Sequence, residues 1–192
     1  MKLQIYYDPY LKKEAQTVQK IIAKVFGYKS SIHQKQRDDL LAFDEDLGIY
    51  TVNIPKDVFN TIYVTGNQVA YKGAKSAHDF LFGGASVKNR TAVISLARLR
   101  MKDTEYKHGI FEGPSDEVSP SILKKRLEIV TVHEIGHWAI TNKDHMDEFD
   151  YSPDAGRHCK DNKCVMYPGL LSKTSLYKNY FCPLCKKSFI KN

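Results

Sequence analysis

Residues 119–140 read SPSILKKRLEIVTVHEIGHWAI, and the rest of the chain is best understood from this stretch. Ser119 is a good helix N-cap and Pro120 suits the first helical position, so a helix is predicted from there to about Ile140, stopping at Thr141-Asn142. Leu123, Leu127 and Val130 form an apolar stripe that leads into His133-Glu134-Ile135-Gly136-His137, an H-E-x-x-H sequence. Four residues advance a helix by about 400°, which puts His133 and His137 on one face, one turn apart. Two imidazoles so placed can share one Zn²⁺. Glu134 falls about 60° round from His137, beside such a metal rather than on it, where a carboxylate can take a proton from a water. Trp138 is expected to be a packing residue.

Two histidines leave a catalytic zinc short of its usual third protein ligand. In the common continuation H-E-x-x-H-x-x-G-x-x-H a glycine turns the chain and a third histidine follows. Here Ile140 and Lys143 occupy those positions, and a protonated lysine has no lone pair for a metal. Two candidates remain, His145 and His158. His145 follows Asn142, a residue able to end the helix in the left-handed conformation, and His158 immediately precedes a cysteine.

All four cysteines lie in the last 34 residues, as Cys159, Cys164, Cys182 and Cys185. Their C-x4-C and C-x2-C hooks predict a second, structural zinc held by four thiolates. Such an ion would stabilise a loop-rich tail whose apolar content is too thin for a core of its own. Val165-Met166-Tyr167-Pro168-Gly169 lies between the hooks and has the pattern of a methionine turn beneath a zinc helix.

Upstream of the helix, the sequence predicts a strand at Leu3–Tyr7 and a helix opened by Asp8-Pro9 and ended by Gly27. Further strands are predicted at Ser31–Gln34, Thr61–Thr65 and Thr91–Leu99, with an irregular edge strand at Asp79–Ser86. Residues 36–60 give no firm assignment, and 102–118 read as a surface loop.

At 192 residues the chain is long enough for one domain and too short for two full-sized ones. Its 42% hydrophobic and 27% charged residues exclude a disordered chain. No apolar run reaches the roughly 18 residues of a membrane span. The opening MKLQIYYDPYLKK carries charges where a secretory signal needs an apolar stretch, so a cytoplasmic protein is expected. The formal +7 comes from 29 Lys and Arg against 22 Asp and Glu, spread without blocks. It reads as a solvated surface rather than a nucleic-acid footprint.

On His133, Glu134 and His137, then Cys159, Cys164 and Met166, then Cys182 and Cys185, the sequence resembles the archaemetzincins, a group of metzincin-type zinc metallopeptidases. The stretches Phe82-Gly83-Gly84-Ala85 and Ala92–Leu99 add to the resemblance, which extends from about residue 79 to 185. It implies an α/β (α+β) fold: a twisted mixed sheet packed with helices, an active-site helix, and a small C-terminal subdomain on the four-cysteine zinc. Residues 1–192 then form one metallopeptidase domain, with subdomains 1–140 and 141–192. The resemblance also implies two Zn²⁺ per chain, Glu134 as general base, a Met-turn at Met166 and a peptide or protein substrate. It favours His158 over His145 as third ligand, because the family's third ligand directly precedes the first hook cysteine. The segment from His137 to His158 is longer than the family pattern, and its acidic middle (Asp144, Asp147, Glu148, Asp150) reads as a surface loop or a flap over the cleft. A monomer is expected, without membrane or nucleic-acid partners. The rival readings are a zinc-binding chain that cleaves weakly or not at all, and a binding module built on the hooks with Lys186, Lys187, Lys191, Phe181 and Phe189.

Overall fold

A computed structural model describes residues 2–46, 48–70, 80–101, 117–141, 146–147, 157–167 and 176–189. The chain starts with strand β1 (Lys2–Tyr7), helix α1 (Lys12–Phe26) and strand β2 (Lys29–Gln34). β1 and β2 are parallel, with Ile5 opposite Ile32, so α1 is the crossover that parallel pairing requires. Ala15, Val18, Ile21 and Ile22 of α1 recur at helical spacing and are buried. Gly27 ends the helix at φ +69, and its N–H reaches the Ala23 carbonyl, a left-handed stop that glycine adopts without steric cost.

The region that resisted assignment from sequence holds a short 3₁₀ turn at Asp38–Leu40 and an antiparallel pair, β3 (Leu41–Asp44) and β4 (Ile49–Val52). Then come β5 (Thr61–Thr65), β6 (Val69–Ala70), β7 (Phe80–Leu81), β8 (Gly83–Ser86) and β9 (Thr91–Ser95). Helices α2 (Leu96–Arg100) and α3 (Pro120–Ala139) follow, then the short pair β10 (Met146–Asp147) and β11 (His158–Cys159), and finally α4 (Pro183–Lys187).

The main sheet has the order β2-β1-β5-β9-β8. Its first four strands are parallel, and β8 joins antiparallel at the outer edge, with Gly83 opposite Ile94. A smaller sheet, β3-β4-β6-β7, lies on one face. Strand alternation sorts the core between the two faces. Leu3, Ile5, Ile62, Val64, Ala92 and Ile94 point to the helix side, where they meet Leu127, Val130 and Ile135 of α3. Tyr63 and Val93 point the other way, towards Leu40, Leu41 and Val69. This is the mixed sheet packed with helices that the sequence led us to expect. No helix among the described residues is long and apolar enough to cross a membrane.

Several predicted boundaries need correction. α1 starts at Lys12 rather than at Asp8-Pro9, because the Asp8 carboxylate is committed elsewhere. It accepts from the Tyr63 hydroxyl at 2.5 Å, the Thr65 hydroxyl at 2.9 Å and the Gly66 N–H at 2.8 Å, tying the end of β1 to β5. The strand predicted at Thr91–Leu99 stops at Ser95, whose hydroxyl donates to the Asn67 carbonyl at 2.6 Å. Leu96-Ala-Arg-Leu-Arg100 contains only good helix formers and turns into α2. The predicted edge strand at Asp79–Ser86 is two strands broken at Phe82, with β7 in the small sheet and β8 in the large one. α3 begins on Ser119 and Pro120 as read from the sequence. It ends without a left-handed stop: Ile140 is extended (φ −91, ψ 116) and bridges to Phe189. Asn142 and residues 102–116 of the predicted surface loop lie outside the described residues, as do His145, Pro168 and Gly169.

Candidate active site

His133 and His137 lie on the buried half of α3, 5% and 4% exposed, with their Nε2 atoms 3.1 Å apart. His158 arrives from β11, its ring centroid 5.2 Å from that of His133 and 5.0 Å from that of His137. One ligand atom from each of the three lies within 4.8 Å of the other two. Zn–N bonds near 2.0–2.1 Å set the edge of a tetrahedral site at roughly 3.3 Å, so the imidazoles suit a shared zinc.

Protonation also fits. The Nδ1 of His133 lies 2.8 Å from the Val165 carbonyl, which can only accept. The proton therefore sits on Nδ1, and Nε2 keeps its lone pair for a metal. Burial pushes the His133 imidazole down to about 3, with help from neighbouring His158. Burial alone takes His158 down to about 4. Both rings are neutral donors at physiological pH. His145, the other candidate, lies outside the described residues.

Glu134 is 6% exposed, and burial raises its carboxyl to about 8. It faces the first residue of β8: a Cβ added at Gly83 would stand 2.8 Å from Glu134 Oε1 and 2.8 Å from the Val93 carbonyl oxygen. The carboxylate thus rests on a backbone position that has no room for a side chain. Gly136 has the same relation to Met166, since an added Cβ would collide with the Met166 sulfur. Met166 is fully buried under α3, one residue beyond the carbonyl that holds His133.

The four cysteines converge in a second cluster with their sulfurs within 4.8 Å of one another. Cys159 and Cys182 are 3.7 Å apart, and Cys164 and Cys185 are 3.6 Å apart. These separations exceed the 2.03–2.05 Å of a disulfide and approach the roughly 3.8 Å tetrahedral edge set by Zn–S bonds near 2.3 Å. Three backbone N–H groups, from Asp161, Cys182 and Cys185, donate to the Cys159, Cys164 and Cys182 sulfurs at 3.4 Å. The hydrogen bond with Cys185 brings the Cys164 thiol down to about 6, while burial raises Cys159 to about 12. One thiolate is thus favoured even without a metal, and a divalent cation would offset the charge of the rest.

Three roles were not read from the sequence: Gly83 making room for Glu134, Gly136 making room for Met166, and the Val165 carbonyl on His133. A glycine inside a strong helix was a visible signal for Gly136, because such a residue usually marks a close approach. The carbonyl carries no side-chain signature at all. The aromatic face considered for a binding module is largely core: Phe181 is 4% exposed, and Phe189 packs on it edge-to-face at 4.5 Å. Trp138 is buried in the main core, as expected.

No protein-family model matches the chain. Over 115 residues it is 30% identical to an archaemetzincin of Thermococcus kodakarensis, a match covering 59% of this chain and 48% of the relative. The chain thus spans about half the length of the curated relative it matches. Among solved structures, an archaemetzincin from Archaeoglobus fulgidus crystallised with malonate superimposes with a TM-score of 0.64 at 20% identity, covering 98% of this chain and 100% of that one. A zinc-dependent peptidase from Methanocorpusculum labreanum superimposes at 0.62, also at 20% identity, covering 97% and 98%. The chain is archaemetzincin-like in sequence and in fold.

Proposed function

We propose that this archaemetzincin-like chain is a zinc metallopeptidase. The observation that carries the proposal is the convergence of three imidazoles, His133 and His137 buried and His158 half-buried, beside a buried carboxylate at the outer edge of a sheet. His133, His137 and His158 would hold the catalytic zinc, and Cys159, Cys164, Cys182 and Cys185 a structural one. A zinc ion held by these histidines would supply Lewis acidity, polarising a scissile carbonyl and lowering the pKa of a water to about 7.

The remaining roles belong to the chain. Glu134 takes the proton of the attacking water and returns it to the leaving amine. The Val165 carbonyl holds the His133 ring in its donor tautomer. Met166, packed on Gly136, serves as the Met-turn under the helix. β8 is the outermost strand of its sheet and carries Gly83 against Glu134. An extended peptide lying along β8 would bring its backbone past the carboxylate. The proposed subdomain 141–192 would supply His158 and the cysteine hooks, and thiols kept as metal ligands suit a reducing cytoplasm.

The test is Glu134→Gln, assayed on an unstructured polypeptide with metal content measured in parallel. Hydrolysis should disappear while both zinc ions stay. Turnover by the variant at the parent rate would overturn the assignment.

A further inference from the structure

The tail does more than supply one ligand. Its backbone threads alternately through the two candidate metal centres. His158 and Cys159 are adjacent in β11. Cys164, Val165 and Met166 are consecutive: the first points into the thiol cluster, the second gives its carbonyl to His133 Nδ1, and the third packs on Gly136. The Cys159 N–H donates to the Met166 carbonyl at 2.8 Å, which closes residues 159–166 into a loop. Across from it, the Val165 N–H donates to the Tyr180 carbonyl at 2.7 Å, two residues before Cys182. The Tyr180 hydroxyl in turn donates to Glu128 on α3.

Among the described residues, this arrangement is otherwise held by the β10–β11 pair and by apolar packing against α1 and α3. Four of the eleven buried residues in the tail's core cluster are the cysteines themselves. Without a cation drawing the sulfurs together, that core loses the link that ties its two cysteine hooks to each other. The elements released would be the ones the histidine centre depends on, namely His158 and the carbonyl that sets the His133 tautomer.

We propose that the four-cysteine centre sets the metal affinity of the histidine centre, acting as a positioning unit for His158 and the Val165 carbonyl. The proposal rests on the metallopeptidase reading above and adds an energetic coupling between its two centres. Loss of one outer hydrogen-bond partner typically weakens a metal site by about 10- to 100-fold, and here a partner and a ligand are displaced together. Coupling between binding sites is reciprocal, so zinc at the histidines must raise affinity at the thiols by the same factor.

The decisive pair of variants is Cys185→Ser and His137→Ala, each read at the opposite centre. Cys185 lies on α4, remote in sequence from all three histidines, and His137 lies on α3, remote from the hooks. Zinc affinity is measured by competition with a chromophoric chelator, and native mass spectrometry counts the ions. Cobalt substitution separates the centres, because only the thiol site gives a sulfur-to-cobalt charge-transfer band. Cys185→Ser should weaken zinc at the histidines by about tenfold or more. His137→Ala should weaken the thiol centre by an equal factor, an equality that nonspecific destabilisation would not produce. If the parent fills both centres and Cys185→Ser keeps histidine-site affinity within about twofold, below the range for a lost outer partner, the coupling is wrong and the peptidase reading stands. Should Cys185→Ser fail to fold, unchanged thiol affinity in His137→Ala overturns the coupling equally well. A parent whose histidine centre takes up no zinc overturns both.

Discussion

Adding one methyl group at Gly83 should separate catalysis from folding. In Gly83→Ala the new carbon would stand 2.8 Å from Glu134 Oε1, 2.8 Å from the Val93 carbonyl oxygen and 3.0 Å from Glu134 Cδ. Even close C–H···O contacts lie at about 3.3–3.6 Å, so two overlaps of about half an ångström must be relieved. Val93 is fully buried in β9, which is paired on both sides, and its carbonyl cannot retreat. The movement falls on β8 and on the Glu134 carboxylate. Overpacking costs about 1–3 kcal/mol, partly offset by the roughly 0.4–1 kcal/mol that alanine gains over glycine through the unfolded chain. A net loss of about 1–2 kcal/mol follows, measurable by urea unfolding. Catalysis should suffer more. A 1 Å misplacement is worth about 10²-fold, so half of that should lower kcat on the order of tenfold with KM nearly unchanged. The assay is turnover of a quenched fluorescent peptide pool by zinc-loaded protein. A variant with the parent's kcat, or one more stable than the parent, would refute the placement of Glu134 against β8.

The other predictions use different readouts. At an open helix position Gly136→Ala would add about 1 kcal/mol of stability; here, with the fully buried Met166 sulfur in the way, urea unfolding should show a loss of about 1–3 kcal/mol. His158→Ala should reduce tightly bound zinc from two ions to one, while His145→Ala should leave two; the opposite order by mass spectrometry would move the third ligand. In the metal-free chain, His133 and His158 titrate below their ordinary 6.5 and Glu134 above its ordinary 4.5. The depressed histidines contribute stability that is present above pH 6.5 and lost on acidification towards about 4 and 3. Glu134 has the opposite sign, its contribution being complete below pH 4.5 and lost as pH rises through about 8. Between pH 4.5 and 6.5 the carboxyl therefore offsets one of the two histidine protons. Glu134→Gln should steepen the acid loss of stability there by about one proton's worth, roughly 1.4 kcal/mol per pH unit, and a slope equal to the parent's would show that this carboxyl is ionised in the folded metal-free chain.

Much of the site could be read before the fold because its chemistry is carried by side chains at fixed spacings. His133 and His137 needed only a helix, and Ser119, Pro120 and the apolar stripe made that helix secure. The hooks announced themselves through four cysteines confined to the tail. His158 was harder, because its distance from the helix is bridged by tertiary structure, and only its position before Cys159 singled it out. The strand end at Ser95 was misjudged since buried Leu96 and Leu99 are as apolar as the strand before them, and periodicity alone cannot tell a short buried helix from a strand. β3 and β4 form an antiparallel pair whose apolar alternation is interrupted by exposed Phe43. The role of Gly83 depends on what approaches it from other elements, so no local pattern displays it, whereas Gly136 stood out as a glycine inside a strong helix.

Diffraction data collected on either side of the zinc absorption edge would bear most directly on the proposed centre. Two anomalous peaks should appear, one among the four cysteine sulfurs and one within about 2.0–2.1 Å of nitrogens on His133, His137 and His158. A single peak at the sulfurs, with the three imidazoles bound to nothing, would contradict the metallopeptidase reading and leave Glu134 without a reaction to serve.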